Sequence, residues 1–229
     1  RLRMKGTASA YATIGYDKYV SVYLAADPTL WTGASKKASF LLNAKVVPMD
    51  GLSFAAGYTG VALRTARKEA DKAVEYGKGA FGGSVLVDVK TLAKLDFDLK
   101  VSAIDAYYFA GDDAHQNVND LMAAVSGGMD SWAAYVEYQL FGNMVDSSKN
   151  ANNMVAKFTY KGIKNTSIYA KFAMNDFTAE KADGADQFTV SAGASYAMAP
   201  CTFALDASLT PVKAKKATFA ITPSIVVAF

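Results

Sequence analysis

Phe219-Ala220-Ile221-Thr222-Pro223-Ser224-Ile225-Val226-Val227-Ala228-Phe229 is the stretch that decides the fold. Phe219, Ile221, Ile225, Val227 and Phe229 are large and apolar at alternate positions, and Thr222 and Ser224 fall between them. A period of two is the period of a β-strand, whose successive side chains point to opposite faces. One such stretch fits any half-buried strand. Repeated along a whole chain, with charged residues on the other face, it fits a barrel that is apolar outside and wet inside.

The pattern does repeat. Leu2, Met4, Ala8, Ala10, Ala12 and Ile14 alternate with Arg1, Arg3, Lys5, Thr7, Ser9 and Thr13. Val20, Val22 and Leu24 share a face, as do Phe40, Leu42, Ala44 and Val46. The turn Pro48-Met49-Asp50-Gly51 carries an Asp-Gly hairpin signal, and Leu52, Phe54, Ala56 and Tyr58 form the return strand. Further alternating runs are Phe81–Val89, Leu95–Ala103, Trp132–Leu140, Met154–Tyr160, Ile168–Met174, Phe188–Tyr196 and Phe203–Leu209. The expectation is an all-β, antiparallel, up-and-down transmembrane barrel of about 12 strands (about 10–14), forming one domain over residues 1–229. The runs approach the ~9–11 residues of a tilted membrane strand, against ~5–6 for an average strand.

Composition narrows the function classes. The chain has 229 residues and a formal charge of +3, and its charges of both signs are scattered, which argues against a nucleic-acid partner. Mean hydropathy is close to zero, and no run approaches the ~18 apolar residues of a membrane helix; a membrane barrel needs only alternate apolar residues. One cysteine, Cys201, and one histidine, His115, remove most disulfide, metal and Cys/His-catalysis schemes. No cofactor, no metal and no enzymatic activity are expected. The start at Arg1 is consistent with a mature chain whose signal peptide has been removed.

Connections are expected to alternate between short turns, near Asp17, Asp50, Leu92–Lys94, Gly162 and Pro200, and long loops, over Asp27–Lys36, Arg67–Gly79, Gly111–Asp130, Asp176–Asp186 and Val212–Lys216. The alternation breaks at Gly142–Asn153, which is long where a short turn is due. Val118, Leu121, Met122 and Val125 have the i, i+3, i+4, i+7 spacing of a loop helix, and Arg67–Tyr76 suggests a second. Such a helix folded into the lumen would narrow a pore; over the rim it would not. Tyr11, Tyr16, Tyr19, Tyr23, Trp31, Tyr58, Tyr107, Tyr108, Trp132 and Tyr160 fall mostly near strand ends, as in interfacial aromatic girdles.

Chemical motifs are few. Gly79-Ala80-Phe81-Gly82-Gly83 lacks the Lys-Ser/Thr of a phosphate loop and reads as a strand bend or close-packing site. His115, beside Asp112 and Asp113, reads as a solvated loop residue rather than a metal ligand or part of a Ser-His lipid hydrolase. Asp96 and Asp98, about 7 Å apart on one strand face, continue into Lys100 and read as a charge ladder rather than an acid–base pair. Arg3, Lys5, Lys45, Asp96, Asp98, Lys100, Glu137, Lys157, Lys171 and Asp206 are the candidate pore-lining residues, with Arg1 beside them.

Over its full length the chain resembles bacterial outer-membrane β-barrel (porin-like) proteins, through the strand pattern, the girdles, the loop asymmetry and the terminal aromatic. The stretch Lys45-Val46-Val47-Pro48-Met49-Asp50-Gly51-Leu52-Ser53-Phe54 is similar to a hairpin of spirochaetal major outer sheath proteins. The resemblance implies that Ile225, Val227 and Phe229 form the signal read by the barrel-assembly machinery. The glycine usual earlier in that signal is missing, and Pro223 lacks a ladder donor. It also implies the bacterial outer membrane as location, with outer-membrane lipid, small hydrophilic solutes and a homo-oligomeric or surface-assembly partner. The function expected is passive diffusion of small hydrophilic solutes with weak anion preference. A structural or adhesive barrel without transport is the alternative, and a soluble β-sandwich binding module the third. The terminal strand is expected to pair with Leu2–Ile14.

Overall fold

The structure, a computed structural model, describes residues 4, 10–32, 37–65, 73–110, 116–143, 150–178 and 180–227. It is all-β with almost no helix. Thirteen strands form one antiparallel sheet in the order β1 (Ala10–Tyr16), β2 (Val20–Ala26), β3 (Phe40–Met49), β4 (Leu52–Thr59), β7 (Ala80–Asp88), β8 (Asp98–Tyr108), β9 (Val118–Met129), β10 (Trp132–Asn143), β11 (Ala151–Tyr160), β12 (Thr166–Met174), β13 (Thr189–Met198), β14 (Cys201–Thr210) and β15 (Thr218–Val227). A separate two-stranded sheet joins β5 (Ala62–Thr65) to β6 (Ala73–Tyr76). The short helices are α1 (Thr29–Thr32) and α2 (Val89–Ala93).

Two compact units are distinguished: Arg1–Ala93 with Ser102–Met122 and Leu140–Asn150, and Lys94–Val101 with Ala123–Gln139 and Ala151–Phe229. In the second, register keeps one chemistry per face across five strands. Phe158 is opposite Ala170, Ile168 opposite Ala194, Ala194 opposite Leu205, and Leu205 opposite Pro223. The other face runs Tyr169, Gly193, Asp206, Thr222 and, beside it, Lys171, Ser191, Ser208. A one-residue slip would exchange the two faces, so the alternation itself specifies the register.

Burial does not follow apolarity. In β13, Val190, Ala192, Ala194 and Tyr196 are exposed while Thr189, Ser191, Gly193 and Ser195 are half-buried. Leu205 is 53% exposed, Ile221 57% and Ile225 65%. In the first unit register again separates two faces: Ile14 pairs with Val22, Leu24 with Leu42, and Val46 with Phe54 on one, with Ser21–Lys45 and Tyr23–Asn43 on the other, where Ser21 and Asn43 are half-buried and Tyr23 and Lys45 exposed. Ile14, Leu24, Leu42, Val46 and Phe54 are all exposed.

Both strand prolines sit where a missing N–H is tolerated. Pro48 lies at the register irregularity between Val46 and Met49, and Pro223 lies in β15, the last strand of the order. The Asp-Gly turn is present at Asp50–Gly51, with Gly51 at φ +89°. Gly79, at φ +83°, packs so closely that an added Cβ would stand 1.9 Å from the Thr59 carbonyl oxygen, the close approach expected of that glycine stretch.

Three expectations are corrected. Val118–Val125 is not a loop helix but part of β9, a 12-residue strand; pairing within the sheet overrides its helical spacing. The loop taken over Gly111–Asp130 is therefore split. Counting β9 removes the break at Gly142–Asn153: one alternate set of connections is 17–19, 50–51, 89–97, 130–131, 161–165 and 199–200, and the other is 27–39, 60–79, 109–117, 144–150, 175–188 and 211–217. The longest of the first set, 89–97, is folded around α2. Second, Ala73–Tyr76 is strand β6, not the end of a helix over Arg67–Tyr76; residues 66–72 lie outside the described residues. Third, β8 begins at Asp98, so Asp96 and Phe97 belong to a bend before it.

For the terminal strand, β15 pairs with β14 and β1 with β2. Met4 forms an isolated bridge to Ala62. Most of the N-terminal stretch expected to pair with β15 lies outside the described residues.

Candidate functional site

The polar face of the second unit is built from rows of side chains at strand pairing distance. Tyr169, Gly193 and Asp206 are consecutive partners across β12, β13 and β14. The missing side chain of Gly193 lets the Tyr169 ring lie across β13. A Cβ there would stand 2.3 Å from Asp206 Oδ1 and 2.5 Å from Tyr169 Cε1. The Tyr169 hydroxyl thereby donates to Asp206 Oδ1 at 2.5 Å. This is aromatic cover of a strand glycine. On the other side of the ring, Lys157 Nζ stands 5.0 Å from its centroid, within cation–π range.

One row away, Lys157 and Lys171 are directly opposite each other on β11 and β12. On β10 the Tyr135 hydroxyl and the Gln139 amide both donate to the Glu137 carboxylate. A cleft of about 340 Å³ on this face is lined by Asp98, Lys100, Ser126, Tyr135, Lys157 and Thr159 among others. The apolar face carries a shallow groove of about 430 Å³, lined by Val136, Ala156, Phe158, Phe172 and Val190 among others.

In the first unit, the connection 60–79 folds back as the β5–β6 hairpin. Its packing makes the main buried apolar cluster: Ala62, Tyr76, Ala80, Ala106, Tyr108 and Val118. Arg64 on β5 reaches Asp120 on β9 through hydrogen bonds of 2.6, 2.9 and 3.1 Å. The two side chains are only 12% and 18% exposed. The Tyr108 and Phe141 rings each lie 5.9 Å from the guanidinium carbon. Burial alone would lower the Arg64 pKa, but the hydrogen bonds and charge of Asp120 outweigh it and hold the pKa above its ordinary value. The hairpin is thus fixed by an apolar cluster and a two-pronged ion pair.

The chain matches no protein-family model, and no curated protein matches it in sequence.

Of the candidate lining residues, Lys45 is on β3, Asp98 and Lys100 on β8, Glu137 on β10, Lys157 on β11, Lys171 on β12 and Asp206 on β14. Lys157, Lys171 and Asp206 are brought together on one face. Asp98, Lys100 and Lys157 share the cleft. Lys45 lies in the other unit, opposite Ser21 and Ala55. Asp96 is in the bend before β8 and does not continue the Asp98 strand. Arg1, Arg3, Lys5, His115 and Phe229 lie outside the described residues. Ile225 and Val227 are exposed on the apolar face of β15, and Cys201, a free thiol, heads β14 between Met198 and Val227. Among the described residues no group of three or more His, Cys, Asp or Glu could hold a metal.

Sequence reasoning passed over Arg64, Asp120, Tyr169 and Gly193. A signal existed for Tyr169, which alternates with Ile168 and Ala170 on the polar side. Arg64 and Asp120 are 56 residues apart, and nothing local links them.

Proposed function

We propose that the chain is a bacterial outer-membrane β-barrel of one domain that acts as a porin-like channel for passive diffusion of small hydrophilic solutes. The observation that carries this is the burial pattern of β13 and β14, where Val190, Ala194, Tyr196, Phe203, Leu205 and Leu209 are exposed while the polar residues between them are half-buried. In water a continuous apolar surface is unfavourable, since monomers rarely expose patches above a few hundred Å². Against lipid it is the required outer surface, and the groove at Phe158 and Phe172 fits a hydrocarbon chain.

Closure follows from the same solvent. Each unpaired backbone group in hydrocarbon costs several kcal/mol, so a spanning sheet closes on itself. Around thirteen strands the lumen is intermediate between a filled eight-strand barrel and a wide sixteen-strand pore. One alternate set of connections is short except for 89–97, and this asymmetry supports a periplasmic and an external side. Lys45, Lys100, Lys157 and Lys171 against Asp98, Glu137 and Asp206 give weak anion preference. Biogenesis would involve the barrel-assembly machinery reading the C-terminal strand, and a homo-oligomer is compatible with the exposed apolar face.

The second reading, a structural or adhesive barrel without transport, is favoured by one observation. The β5–β6 hairpin is packed against the residues Tyr108 and Asp120 of the sheet and would fill part of the lumen.

The deciding measurement is conductance of the refolded protein in a planar bilayer, after heat-modifiable migration in detergent shows a folded barrel. Steady channels with a reversal potential favouring anions support the first reading. A folded barrel without conductance leaves the second, and folding in detergent-free buffer without refolding overturns both in favour of a soluble module.

A further inference from the structure

We propose that Lys157 and Lys171 form a binding site for a small phosphate-like dianion on the polar face of β11–β12, an inference that rests on that face lining a channel. Direct cross-strand partners have Cβ atoms about 4.5–5.5 Å apart, and like charges placed so are unfavourable. These two lysines are such partners. Among the described residues neither makes an ion pair. On the same face Asp206 accepts from Tyr169, and Glu137 accepts from Tyr135 and Gln139.

The Tyr169 ring holds Lys157 by its face, a contact that leaves the ammonium donors free for an oxyanion. Ser191, directly opposite Lys171, and Thr159 in the adjoining cleft offer hydroxyl donors. Two ammonium charges on neighbouring strands match one doubly charged oxyanion better than two chlorides, because a single bridging anion relieves the repulsion between them. Lys157 lines the adjoining cleft with Asp98 and Lys100, and Lys171 stands opposite Lys157 outside it. The cleft, of about 340 Å³, leaves room beside the pair for phosphate or a small phosphomonoester.

The test uses refolded protein at about pH 8, where phosphate carries two charges. Chloride current is recorded while inorganic phosphate is titrated in, and phosphate binding to the detergent-folded protein is measured by calorimetry. Wild type should show saturable block and saturable binding. The K157Q/K171Q double variant, still heat-modifiable, should raise both half-saturating concentrations by about tenfold or more, and K157R/K171R should retain them. Non-saturating behaviour in wild type, or unchanged constants in K157Q/K171Q, overturns the site. Absence of current with lysine-dependent binding in calorimetry sinks the channel and keeps the site. Micelles doped with phosphatidic acid test a lipid headgroup as the source: binding there without binding of free phosphate overturns the solute assignment.

Discussion

Arg64 and Asp120, on β5 and β9, are joined by three hydrogen bonds of 2.6–3.1 Å with both side chains largely buried. Removing one partner of a buried pair strands the other charge, at about 3–5 kcal/mol. Asp120→Asn and Arg64→Gln should each lower unfolding stability in detergent by about that amount, whereas Arg64→Leu with Asp120→Leu together should cost less than either single change. The surface pair Lys18–Asp50, at 2.8 Å and more than half exposed, is the control: Lys18→Ala should leave the unfolding transition close to that of wild type. Equal losses at the two sites would show that the hairpin is not held by the ion pair. In the channel reading, the hairpin variants should also give larger or noisier single-channel currents.

Gly193 is required by its neighbours rather than by its own backbone. Gly193→Val would force the Tyr169 ring off β13 and break its bond to Asp206. A loss of about 1–3 kcal/mol is expected from the overpacking. Tyr169→Phe should cost about 1.5–3 kcal/mol through the lost bond to a charged group. If Gly193→Val destabilises the Tyr169→Phe background as much as wild type, the coupling is absent.

Leu205 separates membrane from water as its surroundings. It is half-exposed at the middle of β14, opposite Ala194 and Pro223. On a lipid face, Leu205→Arg should destabilise the bilayer-inserted protein by about 2–4 kcal/mol. Ser208→Arg, on the opposite face, should be tolerated and should change ion selectivity instead. A Leu205→Arg effect within about 0.5 kcal/mol is what an exposed site in water would give, and it would count against the barrel.

Gly79 has two reasons to be glycine: φ is +83°, and a Cβ would meet the Thr59 carbonyl oxygen at 1.9 Å. The Gly79 N–H also donates to the Tyr76 carbonyl at 3.0 Å at the base of the hairpin. Gly79→Ala should therefore reduce the folded, heat-modifiable fraction on refolding, at a cost of more than about 1 kcal/mol. Gly83→Ala, where the nearest atom is 3.7 Å away, should refold as wild type.

What the sequence determined by itself is most of the strands of the large sheet and the alternation of their two faces. Period two is local, so Leu52–Tyr58, Ile168–Met174, Phe203–Leu209 and the terminal stretch were each legible from their own residues. The charged candidates Lys157, Lys171 and Asp206 could be assigned to one face for the same reason. Only the tertiary structure decided β9. Val118, Leu121, Met122 and Val125 satisfy helical spacing, and Ala123, Ala124, Gly127 and Gly128 blur the alternation, so the backbone conformation is set by the sheet rather than by the segment. Tertiary structure alone also decided the Arg64–Asp120 pair, the cover of Gly193 by Tyr169, and the meeting of Lys157 with Lys171. Those depend on register and chain reversal between distant residues, and no local period encodes which residues will face each other.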